Sequence, residues 1–222
     1  MERHIITKRI GEIMNDISRL NNALYAMDTT DIQRYPDNYE ILSTEAALRG
    51  EKIACRLRHL LYASTSIRKE DYLLSAGFVH GIEITHENGI VEIKLPCLLP
   101  KRKQRQSSEF LIDPLFFTLR RYADNHALPK FRHCVVCFSH IYNRELPKRR
   151  IRDYDNLELK QILDTVSTFI MVDDGGLLCD AYNTTELGDA DCTTISVMDK
   201  DSFPGWLEAR KTNMESISDF SE

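Results

Sequence analysis

The sequence predicts an α+β protein in which a helical N-terminal region precedes a mixed β-sheet with helices. In the first 64 residues, apolar side chains recur every three or four positions, as on one face of a helix. Between positions 80 and 95 they alternate with polar ones, as on a strand. The chain has 222 residues, 42% of them hydrophobic, but no apolar run near the roughly 20 residues that span a bilayer, so no membrane partner is expected.

Residues 1–76 are predicted to form the helical region. An apolar seam from Ile6 to Met27 predicts one helix, and a second is expected after Pro36, ending at about Ser64. Two helices joined by a loop form an αα-hairpin, or each packs on a second subunit. A short helical turn from Lys69 to Ala76 closes the region.

Residues 77–200 are predicted to form one α+β domain, and residues 201–222 a C-terminal tail. The domain begins with two alternating segments, His80–His86 and Ile90–Leu95, and Asn88-Gly89 between them is a strong hairpin signal. The later elements are expected in this order: helix Asp113–Ala123, strand Arg132–Tyr142, helix Leu157–Thr168, and strands Phe169–Val172, Leu177–Tyr182 and Cys192–Met198. A polar turn, Thr184–Asp191, separates the last two strands.

The charge of the chain is unevenly distributed. Residues 101–152 hold thirteen Lys and Arg against four Asp and Glu, whereas residues 153–222 hold four against sixteen. Two dense basic clusters, Lys101-Arg102-Lys103-Gln104-Arg105 and Lys148-Arg149-Arg150-Ile151-Arg152, are of the kind that attracts polyanions. Taken alone, each cluster also fits a solvated face. Six scattered Cys and an N-terminus with no signal-peptide pattern favour a reducing, cytoplasmic location.

Four aspartates follow the second cluster. Asp153 and Asp155 stand where a strand is expected to give way to a helix, and Asp173 and Asp174 come one helix later. Carboxylates that converge from two such points form an oxygen site suited to Mg²⁺ or Mn²⁺. Two plainer interpretations stay open: Asp155 with Glu158 fits a helix capping box, and Asp173 to Gly176 fits a turn.

The pattern Asp-x-Asp-Asn-Leu, a helix, a hydrophobic residue and Asp-Asp resembles the RusA-type Holliday-junction resolvases of phages and mobile elements. The resemblance covers about residues 90–199. Ile90–Pro100 resembles the family's opening strand, and Arg149-Arg150-Ile151-Arg152 resembles its arginine run. Asp113–Ala123 is similar to its first helix, Arg132–Tyr142 to its second strand, and Leu177–Tyr182 with Cys192–Met198 to its closing hairpin.

The resemblance implies a RusA-like sheet, a homodimer and a Mg²⁺-dependent endonuclease that cuts branched DNA. By position, Asp153, Asp155 and Asp174 would hold the metal and act in catalysis, with Asp173 in support. Arg149, Arg150 and Arg152 would hold DNA phosphates. Lys101, Arg102, Lys103, Arg105 and Lys148 are the other candidate DNA-binding residues.

One departure separates this sequence from the family. The family carries a functional lysine six residues after the first aspartate, where this chain has Leu159, and Lys160 follows one position later. One step along a helix turns a side chain by about 100°, so Lys160 serves as the catalytic lysine only if the helix start is adjusted. The alternative function is therefore a catalytically inactive RusA-like module that binds DNA or another protein.

Overall fold

The computed structural model describes residues 3–100 and 105–218, with side chains for 3–100 and 111–210. The chain divides into two compact units, Met1–Asp71 and Tyr72–Glu222. The division lies five residues before the predicted boundary at residue 76, inside a helix rather than after it. The predicted α+β class is confirmed, because helices and a mixed five-stranded sheet are both present.

The first unit is an antiparallel helical hairpin of α1 (Arg3–Asp28) and α2 (Pro36–Ser64). Apolar side chains of both helices, including Ile13 and Ile53, are buried between them. The carboxylate of Asp16 is also buried, and it lies 3.1 Å from Lys52 Nζ and 2.8 Å from an Arg56 guanidinium nitrogen. The amphipathic spacing therefore predicts both helices correctly.

The second unit contains a five-stranded sheet with helices on both faces. α3 (Lys69–His80) leads into it, and the other elements are β1 (Glu83–Glu87), β2 (Ile90–Leu95), α4 (Arg105–Asn125), β3 (Cys134–Asn143), α5 (Lys160–Ile170), β4 (Cys179–Gly188), β5 (Cys192–Asp199) and α6 (Phe203–Ser218). The strand order is β1-β2-β5-β3-β4. All neighbours pair antiparallel except β3 and β4, which run parallel over their whole length.

The β1–β2 hairpin is the element that local sequence predicts best. Asn88 and Gly89 have φ values of 51° and 75°, and they join strands whose register ends at Glu87 opposite Ile90. Positive φ at both central residues is what a tight hairpin turn needs, and Asn-Gly adopts it at low cost.

Each face of the sheet is covered by its own helices. On the face that we call the core face, Phe138 of β3 and Ile195 of β5 pack against Leu115 of α4 and Ile162 of α5. On the opposite face, called here the α6 face, Cys137 and its neighbours pack against Phe203 and Trp206 of α6. The tail predicted for residues 201–222 is therefore largely an ordered helix.

The helices on the core face differ from the prediction at their ends. α4 begins at Arg105, so Pro114 lies inside the helix rather than in its first turn. α5 runs to Ile170, and the predicted strand Phe169–Val172 is wrong: only Met171 forms a bridge, with Phe131. The reason is that Ile170 continues the four-residue spacing of buried side chains on α5, which favours helix over strand.

The predicted closing hairpin is also wrong. β4 and β5 are consecutive along the chain, but β3 lies between them in the sheet. β4 continues through Asn183 to Gly188, across the polar residues that the sequence suggested were a turn. Those polar side chains are tolerated because β4 is an edge strand and is only half-buried there.

Candidate functional site

The segment between β3 and α5 carries most of the predicted site, and we call residues 144–152 the basic loop. A bidentate ion pair fastens it to the β4–β5 connection: Arg150 Nη1 and Nη2 donate to Asp191 Oδ2 and Oδ1, each at 2.8 Å. Asp191 Oδ1 also accepts from the N–H of Asn143 at 2.7 Å. The Arg150 guanidinium lowers the pKa of Asp191, and the same hydrogen bonds raise the pKa of Arg150. Arg150 therefore holds the loop in place.

Arg152 is also turned toward the protein. Its N–H donates to Tyr142 Oη at 3.2 Å, and its guanidinium donates to the carbonyl oxygen of Leu99 at 3.4 Å. Because Arg152 is half-buried and its guanidinium already donates to a carbonyl oxygen, it is less available to bind a phosphate in solvent than an exposed, unpaired cation is. Arg150 and Arg152 thus have structural partners, which the sequence could not show.

Lys148 and Arg149 are the exposed cations of the basic loop that have no ion pair among the described residues, whereas Arg144 is exposed but pairs with Asp189 at 3.2 Å. They lie in a single 3₁₀ turn, Lys148–Arg150, that follows Pro147. Both side chains are exposed, and neither forms an ion pair with any residue that the structure describes. Within the loop, these two residues are the ones available to an anionic ligand.

The other predicted basic cluster cannot be placed. Residues 101–104, which include Lys101, Arg102 and Lys103, lie outside the described residues. Arg105 is the first residue of α4, but its side chain lies outside them as well. These four candidates stay predictions.

Asp153 and Asp155 lie beside the basic loop, at the end of the sheet where β3 finishes. They flank Tyr154, whose hydroxyl lies 3.0 Å from Thr185 Oγ1 of β4 and whose ring lies 5.5 Å from that of His140. His140 is buried, and burial lowers its pKa, which favours the neutral form of the imidazole beside Tyr154. With Tyr154 anchored inward, both carboxylates are exposed.

Asp173 and Asp174 lie at the opposite end of the same strands. The preceding residue, Val172, donates its N–H to the carbonyl oxygen of Phe131 at 2.9 Å, just before β3 begins. Asp173 Oδ1 accepts from the N–H of Gly175 at 3.3 Å, as in a turn. Asp173 is exposed and Asp174 is half-buried.

The four aspartates are therefore not brought together within one chain. Thr185, which anchors Tyr154, pairs with His140, whereas the start of β4 at Cys179 pairs with Cys134. At the rise of a strand, these two levels are about 20 Å apart. Among the described residues, no three His, Cys, Asp or Glu side chains are placed so that they could hold a metal ion. The four aspartates, all of them described, thus do not fit within a single chain the Mg²⁺ or Mn²⁺ site that the sequence predicts.

The start of α5 decides the position of Lys160. Glu158, rather than Asp155, satisfies a backbone donor in the first turn of α5: Glu158 Oε1 accepts from the N–H of Gln161 at 3.3 Å. Asp155 lies in the 3₁₀ turn Tyr154–Asn156 and makes no side-chain cap. Lys160 is the first residue of α5, is exposed, and pairs with Asp164 at 3.4 Å along its own helix.

Sequence reasoning missed a half-buried cationic centre on the α6 face. Arg210 donates to Ser139 Oγ and Thr184 Oγ1, both at 2.7 Å, and forms an ion pair with Glu186. Its guanidinium carbon lies 5.0 Å from the centre of the Trp206 ring, and burial lowers its pKa. The spacing of Trp206 and Arg210, one helical turn apart, was the only local signal.

A family model described as a family of unknown function, DUF6100, matches residues 2–221. The chain belongs to this family. A search of curated proteins finds no match. The DUF6100 match carries no link to the RusA-type resolvases, so that resemblance stays a prediction. In the part of this DUF6100 chain that the structure describes, no helix is long and apolar enough to cross a membrane.

Proposed function

We propose that this chain is a RusA-like DNA-binding module, acting as a homodimer on branched DNA of a phage or mobile element, without cutting it. The observation that carries the proposal is the exposed pair Lys148 and Arg149, which have no ion pair among the described residues, on a loop fixed by Arg150 and Asp191. Free cations on a fixed loop release counterions from phosphates on binding and need little ordering.

The endonuclease that the resemblance implies is the second candidate. One observation favours it: Asp153 and Asp155 are both exposed directly after the basic loop, where they could face a bound backbone. One observation argues against an endonuclease site built within a single chain: Asp173 and Asp174 lie at the end of β3 and β4 opposite to Asp153 and Asp155. DNA binding without cleavage is therefore the better-supported function.

The proposed binding surface predicts a specific salt dependence. Changing Lys148 and Arg149 together to Ala is expected to weaken binding to a synthetic four-way junction about tenfold or more near physiological salt. Because each phosphate contact contributes about 0.9 to the slope of log K against log salt, the slope should fall by about 2 for each protomer that contacts DNA, or about 4 for the proposed homodimer. Fluorescence anisotropy over a salt series measures both quantities.

The matched control removes the same charge elsewhere. Lys94 is exposed on the sheet and Arg121 is exposed on α4, so changing both to Ala lowers the net charge equally without touching the basic loop. The control should leave the slope nearly unchanged. Equal losses in both double variants would mean that overall charge, rather than the basic loop, drives binding.

Cleavage separates the two candidates. We expect the wild-type chain to bind the junction and leave it intact when Mg²⁺ or Mn²⁺ is added. Metal-dependent cutting that is lost in Asp155→Asn and in Asp174→Asn, with binding retained, would replace the first candidate by the second. A wild-type chain that binds neither junction nor duplex DNA at low salt would refute both.

A further inference from the structure

Helix α1 carries two apolar stripes, and α2 covers only one of them. Ile13 belongs to the covered stripe and is buried. The other stripe is 43–64% exposed and consists of Ile10, Met14, Ile17 and Leu24. These positions recur at intervals of four, three and seven residues, which places them on one face of the helix. A surface helix ordinarily presents polar residues on the side away from its core, so this exposed face is of the kind that a further helix covers.

The same side of the hairpin is open along α2. Glu12 of α1 and Arg56 of α2 form an ion pair of 3.8 Å across one flank of the hairpin. The exposed stripe lies on the other flank, because a step of two residues along a helix turns a side chain by about 200°. A Cβ added at Gly50 would meet no described atom within 4 Å, so α2 is open on this flank as well. The exposed stripe of α1 forms what we call the hairpin face, together with the small or apolar residues of α2 on the same flank, which are Ala47, Gly50, Ala54 and Leu57.

The charges at the two ends of α1 are reversed relative to the helix dipole. Arg3 begins the helix and Asp28 ends it, with no acidic residue in the first turn and no basic residue in the last. Arg3 precedes Ile10 by seven residues and Asp28 follows Leu24 by four, so both lie in line with the exposed stripe. Helix N-termini favour negative side chains and C-termini favour positive ones. Within one chain Arg3 and Asp28 are therefore placed unfavourably, and neither forms an ion pair with a residue that the structure describes.

We propose that the hairpin face packs on the hairpin face of a second copy, with the two α1 helices antiparallel about a twofold axis. Full overlap of the two helices centres the axis between Met14 and Ile17, so Met14 of each copy lies opposite Ile17 of the other. The same register sets Arg3 of each copy opposite Asp28 of the other, and the symmetry makes this contact twice.

The antiparallel arrangement is complementary in charge, and a parallel one is not. Each Asp28 would lie at the N-terminus of the other copy's α1, and each Arg3 at its C-terminus, where the helix dipole favours them. Parallel α1 helices would instead set Arg3 against Arg3 and Asp28 against Asp28, with like charges at both ends. The reversed ends of α1 thus indicate a second copy of this chain as the occupant of the hairpin face.

The hairpin face is also large enough for a stable dimer. Helix α1 has 26 residues, which at about 1.5 Å per residue make it about 39 Å long. Two helices, each about 10 Å wide, give the face a width of about 20 Å. The resulting area of about 800 Å² per copy matches what each partner buries in a standard specific interface. Two hairpins joined in this way form a four-helix bundle with a shared core.

The first test is the molar mass of the full chain by analytical ultracentrifugation without DNA. The wild type should sediment at twice 25.7 kDa. Ile17→Glu should sediment at 25.7 kDa with an unchanged circular dichroism spectrum, because it sets two carboxylates beside the twofold axis but leaves the contact between α1 and α2 intact. Ile41→Glu is the control and should stay dimeric, because Ile41 is 60% exposed but lies on the opposite side of α2 from Gly50. A wild-type monomer at every concentration, or a dimeric Ile17→Glu, would overturn the interface.

Charge reversal tests the antiparallel register without altering the apolar stripe. Arg3→Glu would set like charges opposite each other twice in each dimer and should raise the dissociation constant about tenfold. Adding Asp28→Arg restores opposite charges at both contacts and should return the dissociation constant to the wild-type value. An unchanged dissociation constant in Arg3→Glu, or a double variant that binds no more tightly than Arg3→Glu alone, would overturn the register.

The interface names the contact of the homodimer in the proposed function, and its role in DNA binding rests on that function. The hairpin face and the basic loop belong to different units of the chain, so each can be altered without the other. A wild-type chain that is monomeric yet binds the four-way junction in the anisotropy assay would overturn the interface alone. A dimer that binds no DNA would support the interface and overturn the proposed function alone.

Discussion

Changing Arg210 to Ala is expected to lower the free energy of unfolding of the α+β unit by about 3 kcal/mol. The guanidinium joins α6 to two strands, through Ser139 of β3 and through Thr184 and Glu186 of β4. Its removal leaves a partly buried Glu186 carboxylate without its cation, and that desolvation cost outweighs the value of the lost hydrogen bonds.

The measurement for Arg210 is denaturant unfolding followed by circular dichroism and by the fluorescence of Trp206, the single tryptophan of the chain. Trp206 lies on α6, so its signal reports detachment of that helix directly. Arg121→Ala is the control, because Arg121 is an exposed arginine on α4. A loss no larger in Arg210→Ala than in this control would mean that α6 is held by Phe203 and Trp206 alone.

Local patterns sufficed for the elements whose stability is itself local. Asn88-Gly89 specifies a turn by its own backbone preference, and the seam of α1 and α2 identifies the faces that meet. In the same way, Ile162, Val166 and Ile170 show the four-residue spacing of α5. These signals span a few residues, so a single sequence displays them completely.

The parts that sequence could not predict depend on partners far apart along the chain. The position of β3 between β4 and β5 reflects pairings that no local pattern encodes. The polar residues of β4 predicted a turn, whereas an edge strand tolerates polar side chains that a central strand would not. The distance between Asp155 and Asp174 depends on the parallel direction of β4, which the strand–helix–strand spacing left open.

The different roles of the neighbouring arginines also depend on partners far apart along the chain. Arg149 and Arg150 are neighbours in one cluster, yet only Arg150 meets Asp191, 41 residues later. The sequence could therefore indicate that this region is basic, but could not show which cation is free to bind a ligand.

The ion pair between Arg150 and Asp191 leads to a pH-dependent prediction. Asp191→Asn is expected to lower the free energy of unfolding by about 1–3 kcal/mol at pH 7, the range for removing one partner and leaving the other's hydrogen bonds unmade. The two side chains are about one-third exposed, so the lower half of that range is expected. The loop should then be ordered less well, and DNA affinity should fall although Lys148 and Arg149 are still present.

The sign of the pH effect follows from Asp191. Its pKa in the folded state lies below the ordinary value of 3.8 because Arg150 donates to it. Its contribution to stability is therefore complete above the unfolded-state pKa and is lost as pH falls through the lower, folded-state value. The difference between wild type and Asp191→Asn should be largest at pH 7 and begin to shrink below about pH 4. Urea unfolding followed by Trp206 fluorescence at several pH values measures it.

The neighbouring Asp189 supplies the control for Asp191. It pairs with Arg144 at 3.2 Å, but its side chain is 94% exposed. Solvent screens such a pair, so Asp189→Asn should change the unfolding free energy little at any pH. Equal losses in the two variants, or a loss in Asp191→Asn that does not vary with pH, would mean that Arg150 and Asp191 do not fasten the basic loop. Lys148 and Arg149 would then lose the rigid support on which the proposed DNA-binding surface depends.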